Sequence, residues 1–250
     1  MNLLTLDIGN TNIKAGIFSN KQLEKHLIIP DIKILKSLIS DYDITDIAIC
    51  SVSPLMTEKI KSESSYYIDH EPFIINRFNK FNLEIHYKTP ETLGMDRICS
   101  LEGGLNFIGT KLIEGQYLVT IDLGTATTIN ILKFPNIFIG GLIAPGIQTM
   151  FNSLNKQTAQ LPVLSPKDYK TLIGENTNTS LASGVINSAV SLIDKVFNHL
   201  KNFSDCKRII AYATGGMAKS ILEYLPKNIF YDEFLVLKGI RVIYNLNKNK

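Results

Sequence analysis

The run DIGNTNIK near the start of the chain combines residue types that suit phosphate binding. Gly9 allows a tight turn at a point where a side chain would clash. Asn10 and Thr11, with the exposed N–H groups of such a turn, can form an anion-binding concavity. Lys14 adds a positive charge, and Asp7 offers carboxylate oxygen to Mg²⁺ or to its water shell. Taken alone, the run is also compatible with a plain hairpin turn and a solvated lysine.

A second run, DLGTATT at 122–128, repeats this pattern, with its aspartate 115 residues after the first one in a chain of 250. In both copies a threonine precedes the aspartate by two positions, so Thr5 and Asp7 share one strand face, as Thr120 and Asp122 do. Each copy predicts a β-hairpin with an aspartate near its bend. The recurrence favours a functional turn, because a plain turn does not need an aspartate on the same strand face twice.

A third candidate, Gly94-Met95-Asp96-Arg97, opens a predicted helix between the two hairpins. Phosphoryl transfer requires mainly positioning and charge stabilisation, and a kinase that acts on an alcohol also needs a base near the hydroxyl. Asp96 could accept that proton while Arg97 holds an acceptor group of the substrate. An aspartate in the first turn of a helix beside an arginine is also an ordinary structural feature. Chemistry alone leaves both interpretations open.

The elements that must position these residues are predicted from the spacing of apolar side chains. The first half is predicted to contain strands at 13–18, 22–29, 46–51 and 73–76 and helices at 32–42, 55–64 and about 94–108. The second half is predicted to contain strands at 127–134, 137–144, 208–213 and 229–231 and helices from 148, at about 177–203, at 217–225 and at 234–246. This order predicts an α/β fold with two lobes, 1–113 and 114–250, and a small ligand in the cleft between them.

The composition sets limits on the class of protein. Apolar residues make up 45% and charged residues 20%, which excludes global disorder. Basic and acidic side chains nearly balance, and the net charge of +3 is too small to indicate a nucleic-acid-binding surface. Cys50, Cys99 and Cys206 lie far apart without metal-ligand spacing and predict reduced, packed thiols. With no signal-peptide pattern and no apolar run of about 18 residues, we expect a cytoplasmic protein without nucleic-acid or membrane partners.

At this point the sequence resembles a known family. Paired DxGx[TA] hairpins resemble the superfamily of acetate and sugar kinases, heat-shock chaperone ATPases and actin, and the ordered motifs resemble the type III pantothenate kinases of bacteria. The motifs are DIGNTNIK at 7–14, YKTPETLGMDR at 87–97, DLGTATT at 122–128, GGLIAPG at 140–146, TAQLP at 158–162, GENTNTSLASG at 174–184, ATGGMA at 213–218 and FLVLKGI at 234–240. The resemblance implies two duplicated ribonuclease-H-like lobes, each a mixed sheet with helices on both faces, with the nucleotide in the cleft between the lobes.

The resemblance also implies an activity: ATP-dependent phosphorylation of pantothenate to 4′-phosphopantothenate, the first step of coenzyme A biosynthesis. It implies that Asp96 is the general base. The implied substrate-binding residues are Tyr87, Gly94, Met95, Asp96, Arg97 and Thr177. The implied ATP-binding residues are Asp7, Ile8, Gly9, Asn10, Thr11, Asn12, Ile13, Lys14, Thr125, Gly215 and Gly216. On residue type alone, Thr177 could equally be a helix N-cap, and Gly215 and Gly216 could form a tight strand-to-helix turn.

The implied cofactors and partners follow from the same resemblance. ATP is the phosphoryl donor, Mg²⁺ is held through water at Asp7, and a monovalent cation, K⁺ or NH₄⁺, is held at Asp122. A homodimer is implied, with the long helix at about 177–203 as a plausible interface. Members of the family often have an aspartate where this chain has Asn130, so the cation dependence is expected to differ.

Two other functions remain as alternatives. A kinase of another small alcohol is disfavoured because 250 residues leave little room for the insertions of larger sugar kinases. A non-catalytic nucleotide-binding regulator is disfavoured because Asp7, Asp96 and Asp122 are all present and no DNA-binding motif is found.

Overall fold

The computed structural model describes residues 2–248. The strands are β1 (Asn2–Ile8), β2 (Ile13–Ser19), β3 (Gln22–Ile29), β4 (Ile44–Ser51), β5 (Phe73–Ile74), β6 (Glu84–Ile85), β7 (Gln116–Leu123), β8 (Ala126–Lys133), β9 (Ile137–Pro145), β10 (Arg208–Thr214) and β11 (Ile229–Tyr231). The helices are α1 (Ile34–Asp41), α2 (Pro54–Ser64), α3 (Met95–Phe107), α4 (Ile147–Gln157), α5 (Thr177–Lys201), α6 (Ala218–Ile221) and α7 (Leu235–Asn247). Short 3-10 turns lie at Pro90–Thr92, Pro166–Asp168 and Leu222–Tyr224.

The described chain divides into two units. Unit 1 runs to Thr110 and also contains the C-terminal segment from Phe234, and unit 2 is Lys111–Glu233. The predicted lobes, 1–113 and 114–250, differ from this division at the C-terminal segment, which the sequence analysis assigned to the second lobe.

Close packing of α7 on α3 is the physical reason for that difference. Gly239 of α7 lies so close to the Cys99 carbonyl of α3 that a Cβ would have no room. Gly103 of α3 approaches the Leu235 carbonyl in the same way. Glycines at both positions let the two helix backbones meet without intervening side chains, so α7 completes the core of unit 1.

Unit 1 is built on a five-stranded sheet in the order β3-β2-β1-β4-β5. β1 is antiparallel to β2 and parallel to β4, so the sheet is mixed. One face of β1 carries Leu4, Leu6 and Ile8, which share a hydrophobic cluster with Leu35 and Leu38 of α1. A Cβ at Gly16, opposite Thr5, would lie 3.0 Å from Thr5 Oγ1 and 3.2 Å from Leu237 Cδ1, so the Thr5 face looks towards α7. Helices therefore cover both faces of this sheet.

The strands of unit 2 lie in the order β11-β10-β7-β8-β9. β7 is antiparallel to β8 and parallel to β10, which repeats the arrangement of β1 with β2 and β4 in unit 1. Ile121 and Leu123 of β7 share a buried cluster with Val185 and Ile186 of α5 and with Phe151 of α4. The predicted fold class, an α/β protein with two similar mixed-sheet lobes, is confirmed.

Most predicted elements agree with the structure to within a few residues at each end. The helix predicted at 217–225 is instead the four-residue α6 followed by a 3-10 turn, and the two-residue β6 was not predicted. Both differences concern segments that are too short to show a clear apolar period. No helix within residues 2–248 has both the length and the apolar character needed to cross a membrane.

Candidate active site

The first predicted phosphate turn joins β1 to β2 in unit 1. The Gly9 N–H donates a hydrogen bond to the Asn12 carbonyl at 3.1 Å, which closes the turn. The turn residues from Gly9 to Asn12 are exposed, whereas Ile8 and Ile13 on either side are buried in the core. The two isoleucines therefore anchor the hairpin, and only their backbone groups can reach a ligand.

Asp7 and Lys14 stand opposite each other at the end of this hairpin. Directly opposed residues in a ladder point to the same face, so both side chains lie on the Thr5 face, which looks towards α7. Both are partly exposed. A carboxylate and an ammonium group therefore flank one face of an exposed polar turn, as a site for a phosphate group and its metal ion requires.

The start of α3 positions the predicted general base. Gly94 is the N-cap residue, and Asp96 lies in the first helical turn. A Cβ at Gly94 would lie only 2.4 Å from Asp96 Oδ1, so the carboxylate is folded back over the glycine. Asp96 remains partly exposed. The glycine thus provides the space that this carboxylate occupies.

Two buried thiols, Cys50 and Cys99, lie next to Asp7 and Asp96 in the fold. Cys50 of β4 is in register with Asp7 of β1, and Cys99 lies one turn after Asp96 on α3. A hydrogen bond with Cys99, together with burial, raises the pKa of the Cys50 thiol well above its ordinary value. The charges of Asp7 and Asp96 both contribute to that rise in pKa. Both carboxylates therefore lie within electrostatic range of the same thiol, on the side of the sheet that faces α3.

Arg97 and Tyr87 form a second contact next to Asp96. The Arg97 side chain is only 5% exposed, and its guanidinium lies 5.8 Å from the centre of the Tyr87 ring. Such a contact is attractive because the face of the ring carries partial negative charge. With partly buried Gly94 and Met95, the structure brings these five predicted substrate residues together in unit 1.

The second predicted turn joins β7 to β8 in unit 2. The Gly124 N–H donates to the Ala126 carbonyl at 3.1 Å, and the Thr125 side chain is exposed. The Thr125 carbonyl accepts hydrogen bonds from the Gly146 N–H at 3.1 Å and from Thr149 Oγ1 at 2.7 Å. The start of α4 therefore fixes this turn, which accounts for the GGLIAPG motif beside it.

The glycine turn after β10 packs directly on Asp122. Gly215 has a φ of +94°, and a Cβ there would lie 2.4 Å from Asp122 Oδ1. The Met217 N–H donates to the Leu123 carbonyl at 3.0 Å, and Gly216 is exposed. Unit 2 therefore places the predicted nucleotide glycines beside the carboxylate that was predicted to hold a monovalent cation.

Thr177 is the first residue of α5, and its side chain is exposed. The N-cap is Asn176, whose side chain accepts a hydrogen bond from the Thr179 N–H at 3.0 Å. The alternative interpretation of Thr177 as the cap is therefore wrong, and its hydroxyl is not used for capping. Thr177 belongs to unit 2, whereas the other predicted pantothenate-binding residues belong to unit 1.

Asn130 is fully buried on β8, opposite Thr120 of β7. Its Nδ2 donates to Thr120 Oγ1 at 3.3 Å. Thr120 is two residues before Asp122 and shares its strand face, so the amide belongs to a polar pair next to the predicted cation site.

The donors at Asp122 and Asp7 suit hard cations. Thr128 stands opposite Asp122 in the ladder, so a carboxylate and a hydroxyl lie on one face, and oxygen donors of this kind bind Mg²⁺ and K⁺ in preference to softer metals. Within residues 2–248, no group of three or more His, Cys, Asp or Glu side chains is arranged to hold a metal ion. A cation here would therefore complete its shell with water or phosphate oxygen.

Sequence reasoning missed two features of this region. It treated Cys50 and Cys99 as unrelated packed thiols, and it did not single out Glu102, which is fully buried on α3 and bonded to Asn82. The position of Cys99 one turn after Asp96 was a usable signal. The pairing of β4 beside β1 was needed to bring Cys50 to it.

Comparison with known proteins decides the family. The sequence model of the type III pantothenate kinases matches residues 3–199. The chain belongs to the type III pantothenate kinase family. A type III pantothenate kinase from Thermosipho africanus is 32% identical over 250 residues, covering 97% of this chain and 98% of that relative.

Solved structures agree with this family assignment at the level of the fold. A Campylobacter jejuni protein described as a Baf family transcriptional activator has a TM-score of 0.60 at 20% identity, covering 99% of this chain and all of the other. A ROK family protein from Streptococcus pneumoniae has a TM-score of 0.55 at 13% identity, with full coverage of both chains. At such identities the likeness concerns the fold of this type III pantothenate kinase family member and not its substrate.

Proposed function

We propose that this protein transfers a phosphoryl group from ATP to the primary hydroxyl of pantothenate, forming 4′-phosphopantothenate as the first step of coenzyme A biosynthesis. Family membership supports the substrate. The placement of the Asp96 carboxylate in the first turn of α3, folded over Gly94 and next to Arg97, is the observation that carries the mechanism.

Asp96 is the proton acceptor in this proposal. The pantothenate hydroxyl oxygen forms a bond to the γ-phosphorus of ATP, the bond between that phosphorus and the bridging oxygen of ADP breaks, and the hydroxyl proton passes to the Asp96 carboxylate. Arg97, with Tyr87 against it, binds the carboxylate of pantothenate. A positioned base of this kind contributes about 10²–10⁴-fold to the rate.

ATP binding uses the two polar turns and the glycine turn. The exposed Gly9–Asn12 turn with Lys14, and Thr125 in the second turn, offer N–H, hydroxyl and ammonium donors to phosphate oxygens. Gly216 is exposed and allows the nucleoside to approach the backbone, and Gly215 lets the same turn pack against Asp122.

Two cations complete the proposal. Asp7 holds Mg²⁺ through water, and Asp122 holds K⁺ or NH₄⁺. When bound, these cations neutralise part of the charge on the transferring phosphates. Asn130 supplies an amide where the family resemblance implies an aspartate, so one negative charge fewer lies near the predicted monovalent-cation site.

The family resemblance also supports a homodimer in the cytoplasm. The interface in this proposal is the long helix α5, and it would also bury the exposed apolar side chains of Val163, Leu172 and Ile173 in the segment before it. Sedimentation that shows only a monomer at micromolar concentration would contradict the dimer.

Coupled measurement of ADP release tests the activity. Purified protein with ATP, Mg²⁺ and K⁺ should release ADP only when pantothenate is added, and Asp96→Asn should lower kcat by about 10²-fold or more. Asp41→Asn is the matched control, because Asp41 is an exposed carboxylate at the end of α1, and it should retain wild-type turnover.

The outcomes separate the alternatives. Turnover of a sugar in preference to pantothenate would identify a kinase of another alcohol. Calorimetry that shows ATP binding without pantothenate binding would identify a regulator. Strong turnover by Asp96→Asn would remove Asp96 from the role of base.

A further inference from the structure

Glu102 is a buried acidic residue that the mechanism above does not use. It lies on α3 with 0% of its surface exposed. Acidic side chains are rarely buried completely unless they are paired with donors. Its Oε1 accepts the Asn82 backbone N–H at 2.6 Å, and its Oε2 accepts Asn82 Nδ2 at 2.8 Å. Burial raises the pKa of the Glu102 carboxyl, and the donors from Asn82 and the Leu83 backbone offset part of that rise.

This pair joins two parts of the substrate site. Glu102 belongs to the helix that opens with Asp96 and Arg97, and Asn82 lies five residues before Tyr87. The segment from Asn76 to Gly94 contains only the two-residue β6 and one 3-10 turn as regular structure. With so little regular structure of its own, the segment takes much of its position from contacts with other parts of the chain, and the bond between Glu102 and Asn82 is a buried contact of this kind.

A second anchor holds the same segment farther from Tyr87. Asn247 of α7 accepts the Lys80 N–H at 2.9 Å and donates Nδ2 to the Lys80 carbonyl at 3.0 Å. Lys80 is seven residues before Tyr87, and this anchor is exposed. The chain therefore offers one buried anchor on the helix of the predicted base and one exposed anchor on another helix.

We propose that Glu102 is a positioning residue for pantothenate, because its carboxylate fixes the segment that carries Tyr87 on the helix that carries Asp96 and Arg97. This inference rests on the proposed function. Glu102 touches no reacting atom in it. Without the anchor, Tyr87 loses its fixed position against Arg97, and the wall that binds the pantothenate carboxylate loosens while Asp96 and the phosphate turns stay in place.

Glu102→Gln tests the proposal with an isosteric side chain. Both Asn82 groups are donors, and an amide has only one acceptor oxygen, so one of the two hydrogen bonds is lost. Loss of one hydrogen bond to a charged group corresponds to about a tenfold effect. We therefore expect the KM for pantothenate to rise about tenfold, with kcat and the KM for ATP changed by less than about twofold.

The double variant Asn82→Asp with Glu102→Gln is the rescue arm. In this variant the glutamine carbonyl at 102 accepts the backbone N–H of residue 82, as the glutamate does in the wild type. The glutamine N–H donates to the aspartate side chain at 82, so the second hydrogen bond is restored with donor and acceptor exchanged. The KM for pantothenate should return to within about threefold of wild type. Asn247→Ala is the matched control: it removes the exposed anchor and should leave the KM for pantothenate unchanged.

Hydrogen exchange of the amides in residues 83–93 provides a readout that is independent of turnover. Glu102→Gln should accelerate this exchange, the double variant should reverse the change, and Asn247→Ala should not reproduce it. Equal increases in KM for ATP and pantothenate, failure of the double variant to restore KM, or unchanged exchange in Glu102→Gln would each overturn the proposal. A wild-type protein that does not phosphorylate pantothenate would refute the proposed function. The hydrogen-exchange measurement would still test whether Glu102 fixes the segment through Asn82.

Discussion

Replacement of Gly94 by alanine is the sharpest test of how the fold positions the predicted base. The backbone at Gly94 has φ −63° and ψ 128°, which alanine adopts without strain. The new Cβ would lie 2.4 Å from Asp96 Oδ1 and 3.5 Å from Asp96 Cγ. Since carbon and oxygen make contact at about 3.3 Å, the carboxylate oxygen must move by about 1 Å.

That displacement sets the expected loss of activity. A shift of about 1 Å in a catalytic group costs about 10²-fold in rate. We therefore expect kcat for pantothenate to fall about 10²-fold in Gly94→Ala. Alanine is also a poorer N-cap residue than glycine by about 1 kcal/mol. In a protein of this size that cost lowers the midpoint of thermal unfolding by about 2–4 °C.

Gly94→Ser separates the two effects. Serine is a good N-cap residue, so the midpoint should not fall, but its Cβ meets Asp96 in the same way and activity should drop as in Gly94→Ala. The assay is ADP release with thermal unfolding of each variant measured in parallel.

A double-mutant cycle completes the design. If Gly94 acts only through the carboxylate, Gly94→Ala adds nothing to the loss already caused by Asp96→Asn. The reasoning is refuted if folded Gly94→Ala keeps activity within about threefold of wild type, or if its effect multiplies fully with that of Asp96→Asn.

Three further predictions concern the rest of the molecule. Gly215→Ala should lower the free energy of unfolding by about 1–3 kcal/mol and weaken ATP binding, because φ at Gly215 is +94° and the new Cβ would lie 2.4 Å from Asp122 Oδ1. Thermal unfolding measures the first effect, and calorimetry of ATP binding measures the second. Asp122→Asn should abolish the response of turnover to KCl at constant ionic strength, and an unchanged KCl titration would contradict a cation role. Burial raises the pKa of Asp46, but hydrogen bonds from Tyr244, Thr45 and Lys248 outweigh it and hold that pKa below its ordinary value of 3.8. The resulting stability is therefore present above pH 3.8 and lost as pH falls through the lowered pKa, so Asp46→Asn should flatten the acid side of the stability curve measured by denaturant unfolding.

The features that could be predicted from the sequence are those that short segments determine. Each phosphate hairpin follows from strand alternation, a glycine and a polar turn, all within about a dozen residues. The apolar residues that recur at helical spacing in α5, among them Leu181 and Val185, likewise predicted a long helix with one buried face. The motif order then located Asp96 and Asp122 near the ends of these elements.

The features that could not be predicted depend on packing between distant segments. The assignment of α7 to unit 1 depends on the backbone contact of Gly239 with Cys99, which no periodicity reveals. The bond between Glu102 and Asn82 joins a helix to an irregular segment 20 residues away. A glutamate within the largely apolar stretch ICSLEGGL at 98–105 was the local signal, and it does not indicate its partner.

The return of α7 to unit 1 has a consequence for how the protein is made. Unit 2 is inserted within unit 1, so a growing chain that has reached residue 233 already contains all of unit 2, while α3 still lacks its α7 neighbour. Until the last helix is added, the backbone around Cys99 and Gly103 stays uncovered, and with it the helix that carries the predicted base. The second unit can thus finish its core during synthesis, whereas unit 1 must wait for α7.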